Sequence, residues 1–239
     1  MTRALAIIDA LAESDQGLGV NELARRIGVN PSTASRLLAT LEQAGIVERA
    51  SGGPYRLGLR LLALSDRVLA QLDVREQARP WLSWLVEQTG ETATLSVPGG
   101  AEAITVDFVP SSSTVVSMAR VGRPSVPHAT AAGKVMLAFG PSHEVQGQEL
   151  TAYTERTITD PAALERELEQ VREEGIAEAV GEREPDLSAL AAPVLARGGG
   201  LVAIVGLQGP RARLPAAKLR ALREPLRRAA SEISRSLGG

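Results

Sequence analysis

Residues 21–49 read NELARRIGVNPSTASRLLATLEQAGIVER, two short stretches of helical periodicity on either side of the turn Gly28-Val29-Asn30. Asn21 stands where the first stretch wants an N-cap, Glu22 lies near its positive end, and Leu23 and Ile27 recur at the spacing of one buried stripe until Gly28 stops it. Asn30 and Pro31 then occupy the cap and first-turn positions of the second stretch, PSTASRLLATLEQAG, which Gly45 closes. At about 100° per residue, Ala34, Leu37, Leu38 and Leu41 fall on one stripe; Ser32, Arg36, Ala39 and Gln43 lie opposite, flanked by Thr33, Ser35 and Thr40. Two short helices about a glycine turn predict a helix-turn-helix. The polar face suits the major groove: small side chains let the backbone approach, hydroxyls meet phosphates, and Arg36 reaches guanine or a phosphate. An ordinary solvated face has much the same composition, so the helix alone does not choose between the two readings.

The flanks choose. Downstream, Ile46-Val47-Glu48 predicts a strand, Ser51-Gly52-Gly53-Pro54 a turn and Tyr55-Arg56-Leu57 a returning strand, with Arg49 and Arg56 beside the turn. A hairpin in that position is a wing, whose arginines lie on the phosphate backbone or in the minor groove. Upstream, TRALAIIDALAES predicts a first helix with Leu5, Ile8 and Ala12 on one stripe and Ile7 and Leu11 beside them, ended by Gly17 and Gly19. The candidate DNA-contacting residues are therefore Ser32, Thr33, Ser35, Arg36, Thr40, Gln43, Arg49 and Arg56, and the expected partner is double-stranded operator DNA.

Composition agrees once charge is read locally. The 239 residues carry a net charge of −2, which does not announce nucleic-acid binding. Between Asn21 and Arg60, however, six arginines face three glutamates. There is no cysteine, which excludes disulfides, thiolate zinc sites and cysteine nucleophiles. No signal-peptide pattern opens the chain, and charges or breakers interrupt every apolar run before about 18 residues, so a cytoplasmic protein without a membrane anchor is expected.

After the wing, Leu61, Leu64, Val68 and Leu72 form one stripe and Leu62 and Leu69 a second, more than a lone linker helix can bury. It packs either on its own domain or, as favoured here, on a twin subunit. From Val74 the pattern turns to strands alternating with helices. Gln77–Gly90 reads as a helix with Trp81, Leu82 and Leu85 inward, and ETATLSV and AITVDFV form a hairpin about Gly99-Gly100. Ser113–Gly122 is expected to be a strand, Ala131–Phe139 a helix, and Asp160-Pro161 the cap and first turn of a helix burying Leu164, Leu168 and Val171. LSALAAPVLA and GLVAIVGLQG predict a central hairpin, and the last helix is expected to kink or split at Pro225.

The chain resembles the IclR-type regulators. The residues that carry the resemblance are RALAIIDALA, the stretch quoted at the outset, YRLGLRLLALS, VPHATAAGKVMLAF, ERTITD, LERELEQVREEGIAEAVGEREPDLSALAAPV and VAIVGLQGP, in the family's order over almost the whole length. The resemblance implies an α/β (α+β) chain: a winged helix-turn-helix over residues 1–58, a linker and dimerisation helix over 59–73, and a GAF-like effector-binding domain over 74–239, with a curved antiparallel sheet flanked by helices. It implies a homodimer or dimer of dimers that represses or activates in response to a small carboxylate or aromatic metabolite. By the same resemblance the pocket walls are Thr114, Ser117 and Met118 on one strand, Ala131 and Ala132 at a helix start, Ala189 and Leu190 on the next strand, and Gly206 and Gln208 on the last. Some relatives have a cysteine where this chain has Ala189, so a cysteine-dependent site is ruled out here.

The residues offer an independent reason for an anion at Ala131-Ala132: Ala129, Thr130 and Gly133 are also small, and a helix N-terminus among them presents free amides. Small residues also simply permit tight sheet-to-helix packing. His128 reads as a capping or packing group. Gly133-Lys134 is not the end of a phosphate loop, because His128 stands where that motif needs glycine and Val135 where it needs Ser or Thr. An enzyme with an appended regulatory helix-turn-helix is the alternative of a different class; no nucleophile elbow, catalytic set, metal site or cofactor motif is found to support it.

Overall fold

The computed structural model describes residues 2–49, 53–70, 73–113, 119–140 and 150–237, the side chains of 66–70 excepted. Two compact units result, Met1–Gln71 and Leu72–Gly239.

The first unit contains α1 (Thr2–Ala12), α2 (Val20–Arg26), α3 (Pro31–Gln43), the strands β1 (Val47–Arg49) and β2 (Tyr55–Leu57), and α4 (Arg60–Ala70). Asn30 Oδ1 accepts from Thr33 N at 2.8 Å and Pro31 opens α3, as the sequence requires. Ala34 is fully buried, and Leu38, fully buried, and Leu37 and Leu41, partly so, share one core with Ile7, Leu11, Leu23, Val47 and Tyr55. Each fully buried leucine or isoleucine there stabilises the unit by about 1.5–3 kcal/mol.

Two expectations are corrected. Gly19, not Asn21, is the N-cap of α2, without a side-chain bond, and Asn21 sits inside the first turn. The cause is tertiary: Leu18 N donates to Tyr55 O at 3.0 Å and Tyr55 N to Leu18 O at 2.8 Å, so pairing with the wing fixes where the chain enters the helix. In α1 the buried stripe is Ile7, Ala10 and Leu11, while Leu5 and Ala12 are exposed. Gly58 lets the chain leave the wing against the end of α3; a Cβ there would lie 2.3 Å from Gly45 O, and Arg60 Nη1 closes the corner on Ala44 O at 2.6 Å.

The second unit is one antiparallel sheet between helices. Its elements are α5 (Asp73–Thr89), β3 (Thr92–Gly99), β4 (Glu102–Val109), β5 (Pro124–Ser125), α6 (Ala131–Phe139), α7 (Pro161–Glu174), β6 (Ala177–Val180), β7 (Leu187–Leu195), β8 (Leu201–Pro210) and α8 (Ala216–Ser236). The strand order is β5-β4-β3-β8-β7-β6, so the early hairpin and the late hairpin join through β3 and β8. Helices α5 and α8 pack together and on the sheet, with Ala93, Leu95, Leu190, Val205 and Leu207 buried. Against Ala177, Ala179, Ala191 and Ile204 lies α6, itself covered by α7 through Leu164, Leu168 and Val171.

Here too the structure amends the sequence reading. Of the strand expected over Ser113–Gly122, Ala119–Gly122 is loop and turn; the strand that pairs with β4 is Pro124–Ser125, opposite Ile104 and Ala103. Thr114–Met118 fall outside the described residues. Trp81 is only half-buried and meets Trp84 edge to face at 5.6 Å. Helix α5 begins at Asp73, earlier than expected, and α8 runs through Pro225 as one element. Proline removes one amide donor, but Leu222, Leu226 and Ala229 stay buried on either side of it and hold the helix to the sheet.

Candidate functional site

Two candidate sites lie one in each unit. On α3, Ser32, Ser35, Arg36, Thr40 and Gln43 are exposed and Thr33 is half-buried, so the polar face predicted from periodicity does point outward. Thr40 Oγ1 is turned back onto Arg36 O at 3.1 Å. In the wing, Arg56 is exposed, while Arg49 is drawn onto the hairpin itself: its Nε donates to Gly53 O at 3.3 Å and its guanidinium lies 5.4 Å from the centre of the Tyr55 ring. Arg49 therefore braces the wing. Arg25 and Arg26 are both tied to Glu22, at 2.7 and 2.9 Å, and add less free charge than the sequence count suggests.

In the second unit a cavity of about 110 Å³ opens between the sheet and the start of α6. Strand register builds its floor. Thr94 pairs with Gly206, which pairs with Ala191; in the next row Gln208 pairs with Ala189, which pairs with Ala179. Partners across an antiparallel ladder share a face, so these rows present small and polar groups to α6. Gly206 is obligatory in its row, because a Cβ would meet Thr94 Oγ1 at 2.6 Å. Ser96 Oγ and Thr105 Oγ1, 3.4 Å apart, extend the polar surface. The roof is the first turn of α6, which approaches closely because Gly133 has no side chain: a Cβ there would lie 2.3 Å from Val126 O. Thr130 caps that turn, accepting from Gly133 N at 3.0 Å, and helix geometry leaves the Ala131 and Ala132 amides without intrahelical acceptors.

Of the pocket residues expected from the sequence, Ala131, Ala132, Ala189, Leu190, Gly206 and Gln208 all line this cavity. Alternation turns the Leu190 side chain toward the opposite face, so it borders the space along the strand. Thr114, Ser117 and Met118 lie outside the described residues. Sequence reasoning missed Thr94, Ser96 and Thr105, whose signal was present as hydroxyls at period two in otherwise apolar strands, and it missed Arg120, Arg123, Glu182, Arg183 and Glu184, which sit in loops without a pattern. These loop residues set the field: three arginines against two glutamates, with Arg123 paired to Glu184 at 2.7 Å and Arg183 stacked 3.9 Å above the Tyr153 ring. His128 is buried, with Nε2 2.9 Å from Thr151 O and its ring against Tyr153, which is a packing role.

Behind the roof, Lys134 is fully buried; its Nζ donates to Glu182 Oε1 at 2.8 Å and to Glu178 O at 3.0 Å, and it pairs with Glu167. Burial pushes the Glu182 carboxyl above its ordinary range, more than Lys134 pulls it down. Among the described residues, no group of three or more potential metal-ligating side chains is found, and no helix is long and apolar enough to cross a membrane.

Comparison with known proteins adds the lineage. Residues 66–235 match the model of the bacterial transcriptional regulator IclR C-terminal domain, and residues 1–51 that of the IclR helix-turn-helix domain. The chain belongs to the IclR family. It is 32% identical over 241 residues to the HTH-type transcriptional regulator XynR of Escherichia coli K12, covering 99% of this chain and 96% of that one. Among solved structures, the Thermotoga maritima IclR covers the whole chain at 30% identity with a TM-score of 0.74 and is itself covered to 98%. An IclR homologue from Microbacterium hydrocarbonoxydans, solved in complex with 4-hydroxybenzoate, is 27% identical with a TM-score of 0.81, covering 98% of this chain and 97% of that one. Like other IclR members, this chain joins a winged helix-turn-helix to a curved antiparallel sheet with flanking helices, and it is a DNA-binding transcriptional regulator.

Proposed function

We propose that this IclR regulator reads its operator through α3 and the wing, and that a small organic acid seated between the sheet and the start of α6 alters that binding. The observation that carries the reading is the cavity itself: polar rows of the sheet, an arginine-rich rim and a helix N-terminus all border one space. The acid's carboxylate sits at the Ala131 and Ala132 amides, and Gln208, Thr94 and Ser96 orient the rest. A relative's complex with 4-hydroxybenzoate supports this ligand class.

Residues 1–58 form the reading head in this proposal, 59–73 the linker and 74–239 the sensor. The linker and α1 leave Leu5, Leu59, Leu62 and Leu64 exposed, Leu59 and Leu62 by 73% and 63%. Uncovered leucines of that number support pairing with a second copy, as a homodimer or dimer of dimers. The acid then shifts the balance between two assemblies with different spacing of the α3 helices, a coupling of about 1–3 kcal/mol. Its relatives are named as regulators, which supports sensing over catalysis and a place in the cytoplasm with the DNA.

The test is anisotropy titration of the full chain against its own upstream DNA and a scrambled control, with and without 4-hydroxybenzoate as probe. Sequence-dependent binding that the acid changes is expected. Binding that is equal on both DNAs and indifferent to every acid tried would refute the reading.

A further inference from the structure

Strand β6 is shorter than the strand it joins. It begins at Ala177, opposite Ala191, whereas β7 runs on to Leu195, paired on its other side with β8. Along residues 192–195 the sheet therefore has one open side, which α8 and the end of α7 flank to leave a groove of about 460 Å³. The groove lies wholly within the second unit and shares no lining residue with the cavity under α6. An added strand is not its occupant: Pro193 has no amide to give, and the Leu195 amide is held by Ser234 Oγ at 3.0 Å.

What the groove offers instead is positive charge. Arg197, Arg227 and Arg235 line it against a single acid, Glu174, which is already paired with Arg223. Arg235 is neutralised by Glu232 at 2.7 Å. Among the described residues Arg197 and Arg227 have no carboxylate partner, which leaves two uncompensated guanidinium groups. Arg227 is also held in position. Its Nε and Nη2 donate to Glu174 O at 3.2 and 3.1 Å, at the negative end of α7, so Nη1 is left for another acceptor. Ser234 Oγ accepts from Leu195 and keeps its own proton to donate, and Ser231 stands exposed on the same face of α8. The spare side-chain hydrogen bonds of the groove are thus those of donors, while Ala192, Pro193 and Ala230 give it an apolar side.

We propose that this groove is a second ligand site and that it takes a phosphate monoester of a small metabolite. A monoester carries about −1.5 to −2 at pH 7, which matches two free guanidinium groups, whereas a diester such as the DNA backbone carries about −1 per phosphate. A guanidinium meets phosphate oxygens through parallel N–H bonds, and the serine hydroxyls take the remaining lone pairs. About 460 Å³ falls within the ~300–1,000 Å³ of small-molecule sites, so an organic body has room against the apolar side once the phosphate is seated. The sensor unit then has two inputs in separate places.

Calorimetric titration of the full chain at constant ionic strength tests this, with glucose 6-phosphate and phenyl phosphate as probes beside glucose, phenol and dimethyl phosphate. At least one monoester is expected to bind with a Kd below about 1 mM, and about tenfold more tightly than its unphosphorylated parent or the diester. Arg197→Gln and Arg227→Gln should each weaken that binding about tenfold, and Gly206→Val, which obstructs the other cavity, should leave it unchanged. Thermal melts establish that each variant is folded; Arg197 is exposed on a turn, so its variant decides if the Arg227 variant is not. Monoesters that bind no better than their parents, or as well to both arginine variants as to wild type, overturn the proposal. So does dimethyl phosphate binding equal to theirs, which would make the groove a contact for the DNA backbone. Loss of the monoester with Gly206→Val would place it in the cavity under α6 and overturn the second site.

Discussion

Lys134 and Glu182 make opposite demands on stability although they touch. Removing the ammonium leaves Glu167 and Glu182 facing each other across the back of α6, so Lys134→Met should destabilise the sensor unit by about 3–5 kcal/mol in urea titrations. Removing the second carboxylate leaves a balanced Lys134–Glu167 pair. Burial raises the Glu182 carboxyl, so its ionised form burdens the folded state above the folded titration point, and the burden vanishes once pH falls below the ordinary 4.5. Glu182→Gln should therefore match or exceed wild-type stability at neutral pH and lose that advantage on acidification. Glu91 behaves in the contrary sense. Burial pushes its carboxyl up, but hydrogen bonds from Arg213 at 2.7 Å and Lys218 at 3.2 Å outweigh this and hold it below 4.5. Its contribution is complete above 4.5 and is lost as pH falls through the lowered value. Glu91→Gln should cost stability at neutral pH, with the difference from wild type closing in acid; denaturant midpoints measured across pH separate the two glutamates.

Among the elements, α3 and the wing are proposed to divide the work of binding DNA. If Arg36 reads a base, Arg36→Ala should weaken operator binding by about 1–3 kcal/mol and leave scrambled DNA almost unchanged, whereas Arg56→Ala should weaken both and flatten the dependence on salt. Equal losses on both DNAs for Arg36→Ala would reassign it to the backbone. Asn30→Ala, by removing the cap of α3, should lower the melting stability of the first unit by about 1 kcal/mol. Helix α3 was legible because its instructions are local: a cap, a proline and a four-residue apolar stripe lie within the element. The start of α2 was not, since it depends on Leu18 meeting Tyr55, residues far apart in sequence. For α1 the apolar residues form two adjacent stripes, and only the fold selects Ile7 and Leu11 over Leu5. The cavity floor could be read from small residues on β7 and β8, while its rim could not, because Arg120, Arg123 and Arg183 stand in loops where no period marks them.

For the molecule as a whole, the exposed leucines and the cavity make separable predictions. Leu62→Glu should shift the chain toward monomer in sedimentation and weaken operator binding with it, because two-fold operators reward two heads held together. Gly206→Val should drive a side chain into Thr94 and fill the floor of the cavity, giving a regulator that binds operator but no longer answers any acid; release by acid at wild-type concentrations would remove Gly206 from the site. The strand order has a further consequence. In the reading head β1 pairs with the neighbouring β2, whereas β3 must wait for β8, with Thr92 finding its partner only in Gln208. Local topologies fold quickly and distant pairings slowly, and chains fold from the amino end as they are made. On the ribosome the head is therefore complete while the sheet is still open, and a chain cut short before β8 is a folded head with no sensor, deaf to the metabolite it should obey. Protease challenge of stalled chains, resistant in the head and cleaved in the open sheet, would record that interval.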